Sequence, residues 1–177
     1  MAAVLMVAAA LAAPALPAAA SGLAAPPSVC PGQYTMRAPA PTQEQAMLCM
    51  TNFARAQLDQ PPLEESAPLM SSAAEKGNDV LACDSFSHTA CGREFSYWIR
   101  ASGYLSTPCW HIGENLAWGA GSYGTVGSIF RAWLRSPEHR ENILGSYTQI
   151  GIDLLTGTLE GHRGARVWTQ HFGSHCE

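Results

Sequence analysis

Lysine is nearly missing from this sequence: Lys76 is the only one in 177 residues. Charged residues of all kinds make up 14%, and the net charge is −4. Without a run of Lys or Arg, the chain lacks the electrostatic footprint of a nucleic-acid binder, so that class of partner is argued against. No CxxC pair occurs, so neither a zinc ribbon nor a thioredoxin-like redox motif is supported. HExxH and GxSxG are also absent, which leaves no standard zinc-protease helix and no hydrolase elbow. Ser87 stands beside His88, but adjacency in sequence does not make a base.

The apolar residues are unevenly placed. MAAVLMVAAALAAPALPAAA opens the chain, and Met1 to Ala13 reads as the apolar core of a secretory signal. Ala18, Ala19 and Ala20 fit a small-residue cleavage site, although no Lys or Arg precedes the run. Pro14 and Pro17 interrupt it short of the ~20 residues a membrane span needs. The expectation is a signal peptide over residues 1–20 and an exported, extracellular product with no transmembrane segment. Cys30, Cys49, Cys83, Cys91, Cys109 and Cys176 all lie beyond the cleavage point, an even set that suits disulfides in an oxidising compartment.

Residues 21–41, rich in Ala and Pro, read as an arm or linker, and one domain fills 42–177. Thr42 and Gln45 have capping-box spacing ahead of a helix, which Gln60-Pro61-Pro62 stops. A second helix is expected from near Ser66 and a third from about Arg93 to Ala101. GENLAW reads as a strand or a turn. Helices follow from Thr125 to Arg135 and from Ser136-Pro137, with Ser as cap and Pro in the first turn. Two strands, Tyr147 to Leu155 and Ala165 to Phe172, close the chain around the turn-rich TGTLEGHRG. Helices first and a hairpin last give an α+β class.

Six histidines are available, and none stands out alone: His88, His111, His139, His162, His171 and His175. Glu114 does, as a lone acid between a glycine and an apolar run, because a carboxylate at a core-like position needs a partner.

FSHTACG, IGENLAWGAGS, WLRSPEHRENIL, YTQIGI and WTQHFG, together with CMTNFARAQLDQPPL and AAEKGNDV, recur in order from Thr42 to Phe172. In these pieces the chain resembles the CAP superfamily (cysteine-rich secretory, antigen 5 and pathogenesis-related proteins; the SCP domain), in its bacterial secreted branch. The resemblance implies a three-layer α-β-α sandwich with a small antiparallel sheet, stapled by disulfides. It also implies a cleft with two histidines and two acids. His88, Glu114 and His139 match three of these positions. The fourth, a glutamate in many eukaryotic members, is Ser136 here, and Glu138 replaces a common glycine, so Glu138 is a candidate for the missing acid.

The function so implied is a secreted binding module for a lipid, a small ligand or an extracellular partner. The alternative is a metal-dependent hydrolase, with His88, His139 and Glu114 holding a divalent cation such as Zn²⁺. Three disulfides are expected: Cys91–Cys109, tying the FSH loop to the GEN segment, then Cys49–Cys83 and Cys30–Cys176.

Overall fold

A proline near the first turn starts each of two long helices in the computed structural model, which describes residues 22–176. The expected signal segment, residues 1–20, therefore lies outside the described residues. The first helix, α1, runs Ala40–Ala56 and begins two residues ahead of Thr42, with Pro39 at its cap position and no side-chain cap. The capping box does not form. Gln45 bonds Glu65 instead at 2.9 Å, because its turn faces the next strand rather than its own amides. The short strand β1, Glu64–Glu65, leads into α2, Ala67–Ala82.

Ala90–Gly92 forms a 3-10 turn in which Cys91 adopts a left-handed φ of 56°. That turn delays the third helix, so α3 is only Ser96–Ala101. The GEN segment is a full strand, β2, Trp110–Ala120. Helices α4, Val126–Arg135, and α5, Pro137–Leu144, follow. Ser136 occupies the cap position of α5 as expected, but its side chain makes no capping bond. Strands β3, Gln149–Leu159, and β4, His162–His175, are longer than the sequence suggests. Most of TGTLEGHRG is strand, since Glu160 (φ 48°) and Gly161 (φ 79°) turn the chain in two residues.

The sheet order is β1-β3-β4-β2. Three strands are antiparallel, and the short β1 adds a parallel pair on β3. Helix α2 covers one face, and α1, α4 and α5 cover the other, giving the three-layer sandwich. Trp133, Phe130, Met47, Met50, Ile150, Trp168 and Phe172 are fully buried between the sheet and the second helical layer. On the opposite face α2 lies unusually close to β3. A Cβ on Gly151 would fall 2.0 Å from the Leu69 carbonyl carbon, so only glycine fits there. Arg55, buried on α1, donates to the carbonyls of Pro61, Ile143, Gly145 and Tyr147 and ties α1 to the turn between α5 and β3.

All six cysteines pair, but as neighbours in the chain. The bonds are Cys30–Cys49, Cys83–Cys91 and Cys109–Cys176, which corrects all three expected pairings. The first pins the segment before α1, where Leu23, Ala25 and Cys30 are buried, so that segment packs on the core. The second folds the 3-10 turn back onto the end of α2. The third follows from strand register: Trp110 pairs with His175, which makes Cys109 and Cys176 cross-strand neighbours. No disulfide joins the FSH loop to β2.

Candidate functional site

Register places the site. Glu114 on β2 lies opposite His171 on β4, both on the face covered by α2, and β2 is an edge of the sheet. The Glu114 carboxylate is almost wholly buried, and each oxygen accepts from a histidine. His88 Nδ1 is 2.6 Å from Oε1, and His171 Nε2 is 2.8 Å from Oε2. Ser72 on α2 completes the chain, its hydroxyl 2.7 Å from His171 Nδ1. With Glu114 ionised, both facing nitrogens carry the proton; the single Ser72 proton is shared between the Leu69 carbonyl, at 2.8 Å, and His171 Nδ1.

These contacts set the charge states. Burial pushes the Glu114 carboxyl up, but the bonds from His171 and His88 outweigh it and hold the group below its ordinary range. The bond to Glu114 raises His88, more than its own burial lowers it. Lys76, buried on α2, donates to the His88 carbonyl at 2.5 Å. Desolvation lowers its ammonium pKa, while the charges of Glu114 and Asp79 oppose that. The single lysine thus supplies positive charge beside the buried acid and fixes the FSH loop.

His139 approaches from the other layer. It sits in the first turn of α5, and its ring lies 6.5 Å from that of Trp133. Asn115 Nδ2 donates to the His139 carbonyl, and Asn142 donates to the Glu114 carbonyl, so α5 is locked to β2. Desolvation, and then the charge of His88, depress the His139 pKa and keep its ring neutral. Its Nδ1 is buried with no hydrogen-bond partner among the described residues. Ser136 and His139 line a cavity of about 260 Å³ with Phe86, Leu116, Ala117, Trp118, Ala132 and Trp133. Glu138 is exposed and, among the described residues, makes no side-chain bond; its charge adds to the rise at His88 and only partly offsets the fall at His139.

His88 and Glu114 are therefore in direct contact. His139 and Ser136 share a cavity at the adjoining β2 edge, and Glu138 stays outside it. Sequence reading missed His171, Ser72 and Lys76. Their roles depend on the β2–β4 register and on which face of α2 meets the sheet, and neither is written in local sequence.

The donor set suits a metal ion poorly. Glu114 has both oxygens committed to histidines. Among the described residues, no group of three His, Cys, Asp or Glu is placed to hold a metal ion. What remains is two outer imidazole nitrogens, too few for a closed or catalytic zinc site.

The model of the cysteine-rich secretory protein family matches residues 48–172. No curated protein matches the sequence. Among solved structures, the chain is similar to an outer surface protein from Borrelia burgdorferi, at 20% identity and TM-score 0.61, over 73% of this chain and 90% of that one. An extracellular protein containing an SCP domain from Bacillus anthracis gives 21% identity and TM-score 0.60 over 75% of this chain. A cysteine-rich secretory protein from Staphylococcus aureus gives 18% and 0.55 over 78%. The match spans 40% of each of these two longer chains. At such identities the likeness is one of fold.

Proposed function

Because the chain belongs to the cysteine-rich secretory protein (CAP) family, we propose that it is an exported, non-enzymatic binding module. It would take a small ligand, a lipid or an extracellular partner along the cleft at the β2 edge. Export is supported by the three disulfides. It also fits the description of one structural relative as extracellular. Among the described residues, no helix is long and apolar enough to cross a membrane.

The observation that carries the reading is the state of Glu114. Hydrolysis needs an acid or base that can reach a substrate and change protonation there. Both Glu114 oxygens are held at 2.6 and 2.8 Å by His88 and His171, and its side chain is 1% exposed. The arrangement stiffens the FSH loop against the sheet and shapes the rim of a cleft. What is left open is the outer edge of His88, whose side chain is 58% exposed, and His139, a neutral ring beside an apolar cavity; that apolar cavity favours recognition over turnover.

The test is ligand recovery. Mature protein purified from its native medium is denatured, and the released small molecules and peptides are identified by mass spectrometry. The comparison is Ala132→Trp, which fills the cavity from an exposed helical position. A ligand present in the parent and lost from the variant supports the reading. Turnover of casein or a generic ester by the parent, abolished in Glu114→Gln, would overturn it.

A further inference from the structure

The edge strand β2 is capped at two positions and left open at the next. Its even-numbered residues point their peptide groups away from β4, as alternation in an antiparallel pair requires. Asn142 Nδ2 caps the Glu114 carbonyl at 3.0 Å, and Trp133 Nε1 caps that of Leu116 at 3.1 Å. Among the described residues nothing caps Trp118, the next outward residue.

Trp118 is where two cavities meet. The one holding His139 and Ser136, with a volume of about 260 Å³, shares Ala117, Trp118 and Ala132 with a second of about 400 Å³. The second reaches Tyr123, Arg131 and Arg135 along α4. The groove is thus apolar at its Phe86 end and basic at its α4 end. Arg131 is held in place by Tyr34 Oη and the Gly127 carbonyl, at 2.5 and 3.1 Å, while Arg135 is exposed. Neither makes an ion pair among the described residues, in a chain with 14 acidic and 10 basic side chains.

We propose that the extended carboxyl end of a peptide docks in this groove. Its backbone pairs with the open peptide group of Trp118, an apolar side chain enters between Phe86, Leu116 and Trp133, and its terminal carboxylate meets Arg131 and Arg135. Strand addition to a free edge is a general mode of peptide capture, in which backbone bonds supply affinity and flanking cavities supply choice. An acyl chain would fill the apolar end but leave the Trp118 N–H and C=O covered and unpaired, which is costly. A peptide satisfies both. Two unpaired guanidiniums then favour a carboxylate at the end of the segment rather than an uncharged continuation.

The proposal rests on the reading of the β2 edge as a binding cleft, and its test separates the two. Acetylated hexapeptides of randomised sequence are offered to the full mature protein in two pools, one with free carboxyl ends and one amidated, beside dodecanoate. Peptides with a free carboxylate are expected to be selected. Amidation, Arg135→Gln, or N-methylation of the amide that pairs with Trp118 should each weaken binding roughly tenfold. Ala132→Trp should abolish binding while near-ultraviolet dichroism shows the native fold. Equal binding of free and amidated peptides, or binding of dodecanoate alone, overturns the proposal. If Ala132→Trp strips the ligand recovered from native medium but no peptide is selected, the cleft stands and the peptide falls. If the variant keeps that ligand, the cleft reading itself fails.

Discussion

Replacing Asp153 with asparagine should make the protein more stable at neutral pH and less responsive to acid. Asp153 lies on β3 opposite Thr169, on the face covered by α2. Gly77 brings that helix so close that a Cβ there would sit 3.5 Å from Asp153 Oδ2. Oδ2 and Thr169 Oγ1 are both buried without a hydrogen-bond partner among the described residues. Burial, and then the charge of Glu44, push the Asp153 carboxyl up to about 6 from an ordinary 3.8. At about 1.4 kcal/mol per pH unit this is a ceiling of about 3 kcal/mol against the ionised form. Water still reaches part of the group, so screening reduces the expected cost to roughly 1–2 kcal/mol. The folded state holds its proton to higher pH than the unfolded state does. Asp153 therefore costs its full penalty above pH 6, and the cost fades as pH falls toward 3.8. Urea denaturation at pH 7.5 and 4.5, with disulfides intact, measures this in parent and Asp153→Asn. The variant should gain roughly 1–2 kcal/mol at pH 7.5 and roughly half of that at pH 4.5, the remainder fading below 3.8. A variant less stable than the parent at pH 7.5, or a gain equal at both pH values, would refute the argument.

Glu114→Gln should cost about 3–5 kcal/mol in denaturant, because it removes the buried charge and leaves one of the two histidines facing an amide NH2 in place of an acceptor; a loss below about 1 kcal/mol would argue against the buried chain of contacts. In the same variant the His88 pKa, followed by proton NMR, should fall, since the bond to Glu114 is what raises it. With its pKa raised, His88 adds stability that is complete below its ordinary value of 6.5 and is lost as pH rises through the folded value. Peptide mapping without reduction should recover Cys30–Cys49, Cys83–Cys91 and Cys109–Cys176; a Cys91–Cys109 peptide would contradict the fold. Removing Cys30–Cys49 by paired alanines should cost about 3 kcal/mol for a loop of this length. Calorimetric titration with Zn²⁺ should give the same heat for the parent and a His88→Ala, His139→Ala double variant; a site present only in the parent would support the metal-dependent reading instead.

Sequence carried the layers well and the contacts poorly. The SPEH piece announced α5 through Ser136 and Pro137, and His139 does fall in its first turn. His88 and Glu114 also meet. Local pattern could not show that Glu114 faces His171, because a one-residue slip in β2–β4 pairing would have turned it to the other face of the sheet. Nor could it show that Lys76 is buried, since a lone lysine in a helix normally reads as solvent-facing. The pairing of the cysteines failed for a related reason. Local pattern does not show that Cys91, itself in a left-handed conformation, turns back toward Cys83, or that Cys109 meets Cys176 through strand register.

That last bond closes a covalent ring of chain, with a sequence separation of 67, around β2, α4, α5, β3 and β4. The ring contains Glu114, His139, His171 and both arginines of the groove. A protease that cuts one surface turn inside it, such as Glu160-Gly161, opens the ring without releasing a fragment. The two ends stay tethered, and the sheet register holds them in place. If the chain is exported as proposed, a singly cut molecule would remain one molecule with its β2 edge intact.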